Sequence, residues 1–153
     1  MRAAGLASTL GKGLVAGFAG TAAMTVSSTL EQHLRGRAAS SAPADATAKV
    51  LGIAEFADDA AKERFSFLSH WGYGTGWGVV RAMLGGVLPP RAARAAHLAA
   101  IWGNEQVMLP ALDVAPPITM WGGKEIAIDA WHHIVYATAT GAAYQLLSAN
   151  GKG

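Results

Sequence analysis

Apolar and polar positions along this chain fall into blocks rather than alternating with a fixed period. Gly13 to Leu30 runs 18 residues without a charge, and Trp131 to Asn150 runs 20 without one. Phe65 to Pro90 holds 26 residues with Arg81 as the one formal charge, and Ala95 to Leu112 holds 18 with Glu105 alone. A helix needs about 20 predominantly apolar residues to cross a bilayer. The blocks therefore predict an all-α integral membrane bundle of four transmembrane helices, at approximately 11–31, 66–89, 92–112 and 127–148, in a single membrane domain over 1–153. Pro89-Pro90 and Pro116-Pro117 end the second and third blocks, since proline cannot continue a helix. In the long first connection, Ser40-Ser41-Ala42-Pro43 marks a helix start. Val50, Ile53, Ala57 and Ala60 follow three to four apart, which predicts a short amphipathic helix over approximately 44–62 that lies on a membrane surface or caps the bundle.

Two alternatives share this pattern. A soluble all-helical protein with buried, alanine-rich helices is the first, but its helices should each carry a charged face, which the first and fourth blocks lack. The second is a cleaved signal peptide: Arg2 and Lys12, an apolar run and Ala19-Gly20-Thr21-Ala22-Ala23 have that order, and cleavage would leave three spans. Gly13, Gly17 and Gly20 have the spacing of helix-packing positions, which favours a retained first span.

Composition moves the picture the same way. Hydrophobic residues make up 52% of the chain and charged residues 14%, against about 25% charged in a typical soluble domain. A net charge of +2 is too small to indicate a nucleic-acid partner, and the absence of cysteine removes disulfides, thiolate metal sites and cysteine nucleophiles. The expected partners are the lipid bilayer and further copies of the chain or a membrane complex. Arg2, Lys12, Arg91, Arg94 and Lys152 fall on one side of the predicted bundle, and Arg35, Arg37, Lys49, Lys62, Arg64 and Lys124 on the other. The compact Arg91/Arg94 turn favours both termini on the cytoplasmic side of the membrane.

The stretch His70-Trp71-Gly72-Tyr73-Gly74-Thr75-Gly76-Trp77-Gly78 looks at first like a phosphate loop. It lacks the G-x-G-x-x-G spacing, the lysine and hydroxyl of a P-loop, and a preceding strand. As a helix it carries two interleaved G-x-x-x-G pairs, Gly72/Gly76 and Gly74/Gly78, which with Gly13 and Gly17 predict close helix contacts. A local break near Gly74-Thr75-Gly76, as in discontinuous transport helices, is the alternative.

Ionisable groups inside spans are expensive and mark candidate sites. His70, Arg81, His97, Glu105, Asp129, His132 and His133 are those groups here, and Glu31 closes the first span. His70, Glu105, Asp129, His132, His133 and Glu31 are expected in one layer, with Arg81 and His97 deeper or toward the opposite side. Three chemistries fit such a layer. It is a hydrogen-bonded network holding helices in register, a proton or small-solute path, or a metal or haem site with His70, Glu105, Asp129 and His133 as ligand candidates. No H-E-x-x-H, G-x-S-x-G or P-loop motif is present, so no catalytic constellation is expected and no cofactor is the leading expectation. The expected role is non-enzymatic: channel-like, transporter-like or accessory to a membrane complex. A membrane-embedded metal or haem redox protein is the alternative.

The order of several marks resembles the YagU-like family of small bacterial inner-membrane proteins. The marks are Gly13-Leu14-Val15-Ala16-Gly17, His70 at the head of the second helix, Pro110 and Ala115-Pro116-Pro117 after the third, and Trp121, Glu125 and His132 or His133 at the fourth. The first loop is shorter than in that pattern, and proline-rich signatures after the first helix are missing. The resemblance implies a multi-span inner-membrane protein and supplies no reaction, substrate or cofactor.

Overall fold

The computed structural model of the chain describes residues 3–149. Arg2 and Lys152 of the charge comparison lie outside them. Among the described residues there are five α-helices and no strand: α1 (Ala3–Arg35), α2 (Ala42–Leu51), α3 (Asp59–Val87), α4 (Pro90–Ala111) and α5 (Gly123–Ala149), with a single 3-10 turn at Ile118–Met120. The all-helical reading thus holds. One helix, α1, is both long and apolar enough to cross a membrane, with a mean hydropathy of 1.3 over its apolar window. At 29, 22 and 27 residues, α3, α4 and α5 are long enough by rise per residue. Glycine, tryptophan, tyrosine and polar side chains dilute their hydropathy.

The expected amphipathic helix over 44–62 is divided in two. Gly52 sits at φ 69°, a left-handed cap whose N–H bonds back to Lys49, and the helix ends there. Residues 59–62 instead open α3, where the Asp58 carboxylate accepts from the backbone N–H of Ala61 at 2.6 Å. The stretch around Gly74-Thr75-Gly76 is helical as expected, and the alternative of a local break does not hold, because α3 is continuous through it.

Neighbouring long helices run antiparallel. Down α1 and up α3 the contacts pair Gly13 with Gly78 and Ala82, Gly17 with Thr75 and Gly78, and Thr21 with Gly74. Down α1 and up α5 they pair Gly20 with Thr140, Ser27 with His132 and Arg35 with Glu125. Trp77 meets His97 across α3 and α4, while Trp102 meets Asp129 across α4 and α5. One end of the bundle therefore gathers the C-termini of α1 and α4 with the N-termini of α3 and α5, and α2 packs on α3 and α4 there. It is called the carboxylate end below, and the opposite one the arginine end.

The core is made of small and polar side chains. Seven of its ten buried apolar residues are alanine, and its largest fully buried side chains are Arg81, Tyr136, His97 and Thr140. Large apolar side chains face outward on all four long helices, among them Val26 (70% exposed), Val87 (78%), Val107 (71%) and Leu146 (68%). Small residues let backbones approach, and the bulky apolar groups are left on the outer surface. A water-soluble bundle has the opposite distribution.

At the carboxylate end, Arg35 donates to both oxygens of Glu125, at 2.7 and 3.1 Å, tying α1 to α5. Its guanidinium holds the Glu125 carboxyl below its ordinary value of 4.5. A depressed carboxylate contributes stability that is present above its ordinary pKa and lost as pH falls through the depressed one. The difference in thermal midpoint between the wild type and E125Q is therefore expected to shrink as pH drops below about 4. Parallel midpoint-versus-pH curves for the two proteins would show that the bridge contributes nothing.

Candidate functional site

The sequence places a hydroxyl stripe on α1: Thr21, Thr25 and Ser28 are spaced by four and three residues, so they share one helical face. That face turns toward a cavity of about 630 Å³ at the carboxylate end, bordered by α2 and the 39–41 segment. Its walls are mainly apolar, with Met24, Val50, Leu51, Ile101, Met108 and Leu109 contributing. His70, Glu105, Asp129, His132 and His133 open on it from α3, α4 and α5.

Each expected site residue has a definite place. Thr25 Oγ donates to the carbonyl of Thr21 at 2.7 Å, so its single proton is used. The 2.8 Å contact to His70 must therefore run from His70 Nε2–H to Thr25 Oγ. His70 is thereby engaged with α1 and does not join the carboxylates. His132 Nδ1 lies 2.9 Å from Ser27 Oγ, and its Nε2 lies 3.7 Å from Glu31, whose carboxylate is held by Arg35 and Arg37. Arg81 and His97 stand away from the cavity. His97 Nε2 donates to the Trp77 carbonyl at 3.0 Å, and Arg81 packs 5.0 Å from the centre of the Tyr144 ring.

The remaining three groups converge. One ligand atom each of Glu105, Asp129 and His133 lie within 4.8 Å of one another. Asp129 is positioned by Trp102, whose indole N–H donates to Oδ2 at 2.7 Å. His133 is positioned by its own helix: Nδ1 lies 2.9 Å from the carbonyl of Asp129, four residues earlier. A carbonyl only accepts, so Nδ1 carries a proton. Nε2 then lies 2.8 Å from Glu105 Oε2, within ion-pair distance, and that oxygen makes no hydrogen bond among the described residues. A bare imidazole lone pair facing a bare carboxylate at that distance would be repulsive. The contact is attractive when Nε2 carries a proton, which makes the ring an imidazolium beside the carboxylate. The Asp129 carboxylate lies 3.7 Å from the ring on its other side.

Sequence reasoning did not single out Trp102, Thr25 or Ser27, although the hydroxyl stripe was a usable signal. For the glycines, the outcome divides. Gly13, Gly17, Gly74 and Gly78 sit at the α1–α3 contact, whereas a Cβ on Gly72 or Gly76 would meet nothing within 4 Å. Gly74 is further engaged through its carbonyl, which accepts from the Tyr136 hydroxyl at 2.5 Å. No family model, curated protein or solved structure matches the chain.

Proposed function

We propose that this chain is a multi-span membrane protein of the transporter-like kind, non-enzymatic, that takes a cationic solute into its cavity in exchange for a proton. The observation that carries this reading is the 2.8 Å contact between His133 and Glu105, with Asp129 beside it, opening on a mainly apolar cavity of about 630 Å³. A cation that settles between the two carboxylates supplies the positive charge the proton supplied, so the proton becomes free to leave. Apolar walls fit the body of a lipophilic organic cation better than a hydrated ion.

The spans under this reading are the four long helices, with the arginine end cytoplasmic. It is supported by the inverted distribution of large and small side chains, by the hydropathy of α1, and by the short arginine-bearing α3–α4 turn. Contacts along α1 also support its retention, since cleavage would strip α3 and α5 of their partners at Gly78, Gly74 and Thr140. The YagU-like resemblance agrees with this reading in membrane class.

The test is uptake of a lipophilic cation, tetraphenylphosphonium, by proteoliposomes of the full chain under an imposed pH gradient. Uptake driven by the gradient, with opposite proton movement, is the expected result. Uptake indifferent to the gradient, or recovery of the protein monodisperse without detergent, would overturn the proposal.

A second reading has its own observation: Glu105, Asp129 and His133 Nε2 form a carboxylate–imidazole set of the kind that holds a divalent ion, and the Nδ1–H to carbonyl bond orients the ring for ligation. If a divalent ion is the cargo, calorimetry with Mn²⁺ or Zn²⁺ should show one site per chain, release about one proton, and lose at least about tenfold in affinity in H133Q. Absence of any heat beyond dilution rules the ion out and leaves the organic cation.

A further inference from the structure

The ten acidic residues of the chain all fall at or beyond the carboxylate end. None lies within 3–30, 65–104 or 130–149, which are the stretches that build the rest of the bundle. Among the described residues, the arginine end therefore holds Lys12, Arg81, Arg91 and Arg94 with no carboxylate to meet them. Every ion pair among the described residues is made by Glu31, Glu105, Glu125 or Asp129.

One of these cations is fully buried and a second is half-buried. Arg81 is 1% exposed, and its Nε and Nη1 have no hydrogen-bond partner among the described residues. Space for it comes from Gly85, where a Cβ would lie 2.8 Å from Nη1. Arg94 Nε is likewise buried and unpartnered, and its side chain crosses α5 at Gly141, where a Cβ would come within 3.3 Å of Nε. Arg81 lies four residues beyond Trp77 and Arg94 three residues before His97, so both stand about one turn from the Trp77–His97 contact, at the same level. In front of Arg94 is a cleft of about 360 Å³ between α4 and α5, lined by Arg91, Arg94, Ala95, Leu98, Ala137 and Thr138. Arg91 and Arg94 belong to the first turns of α4, whose exposed N–H groups add further positive potential.

Buried guanidinium groups without a counter-charge are strongly destabilising. An anion supplied from outside removes that penalty, and the fork of an arginine matches a phosphate best. We propose that this α4–α5 cleft binds a phosphate anion, held directly by Arg91 and Arg94, with Arg81 behind them adding positive charge. An anionic phospholipid headgroup and free inorganic phosphate share this chemistry. The cleft's apolar members, Ala95, Leu98 and Ala137, lie where an acyl chain would leave the headgroup.

The experiment uses the full chain in non-ionic detergent, titrated separately with phosphatidylglycerol, phosphatidylcholine and inorganic phosphate. Its readouts are the shift in thermal midpoint and lipid adducts in native mass spectrometry. Phosphatidylglycerol is expected to bind at least about tenfold tighter than phosphatidylcholine, with R94Q losing about tenfold, as loss of a hydrogen bond to a charged group predicts. K12Q removes an equal charge from the same end, on a helix that does not line the cleft, and should keep the wild-type affinity. Phosphate binding that needs Arg94, without a preference between the lipids, assigns the site to the free ion. Equal binding of both lipids with no response to phosphate overturns the site, and so does an equal loss in R94Q and K12Q. If R94Q fails to fold, R91Q serves in its place, because Arg91 lines the same cleft and is exposed.

Discussion

Gly78→Val is expected to separate α1 from α3 and to destabilise the protein by at least about 3 kcal/mol, the upper range for overpacking a close contact. A Cβ at Gly78 would run into the carbonyl oxygen of Gly13 and would lie 2.6 Å from Gly17 Cα, so the obstacle is backbone on both sides. Backbone cannot rotate away as a flexible side chain does, and the two helices must move apart along their length. That movement also draws Thr25 from His70 and Thr21 from Gly74, since both contacts lie further along the same seam. Gly76→Ala is the matched control. Its Cβ would meet nothing within 4 Å, and alanine is favoured over glycine in a helix by about 1 kcal/mol. Unfolding of the two variants in a detergent titration distinguishes them, and equal midpoints would remove the α1–α3 seam as the principal packing contact.

Glu105→Ala is the second large effect, and it separates stability from activity. Truncating one member of a buried ion pair ordinarily costs about 3–5 kcal/mol, because the other charge is stranded. His133 escapes that penalty by releasing its Nε2 proton while Nδ1 remains bonded to the Asp129 carbonyl. The expected loss of stability is therefore nearer about 1–3 kcal/mol, that of an unsatisfied polar group. Proton-driven cation uptake, by contrast, should fall by at least about 100-fold, the usual scale for removing a positioned proton carrier. The double variant E105A/H133A is expected to be no slower than either single one, since in the proposed exchange the two groups in contact act as one proton carrier. A double variant slower by the product of the single effects would assign the two groups independent roles, and unchanged uptake in E105A would remove the pair from the mechanism.

Much of the helical architecture was legible in the chain, because block lengths and proline or glycine punctuation act locally. The long helices follow the uncharged blocks, and Pro90 opens α4 where the sequence indicates. The division of the 44–62 segment was not legible. It turns on Gly52 adopting a left-handed conformation, and the apolar spacing through Val50 and Ile53 continues past it as though the helix did too.

For the candidate site, the residue types and approximate depth came from the chain, since helical rise converts position into height. Which of them meet was decided by helix rotation. His70 stands at nearly the right height for the carboxylates but is directed to Thr25, and Gly72 and Gly76 share a repeat with Gly74 and Gly78 but face away from α1. A helix repeats every 3.6 residues, so positions two apart point about 200° apart. The sequence by itself thus determined the helices, the separation of acids from the arginine end, and the stock of titratable groups. Only the tertiary structure decided that Glu105, Asp129 and His133 share one cavity wall and that Arg81 and Arg94 share one level. Those meetings depend on the rotation and pairing of helices 20 or more residues long, and packing between distant segments sets both.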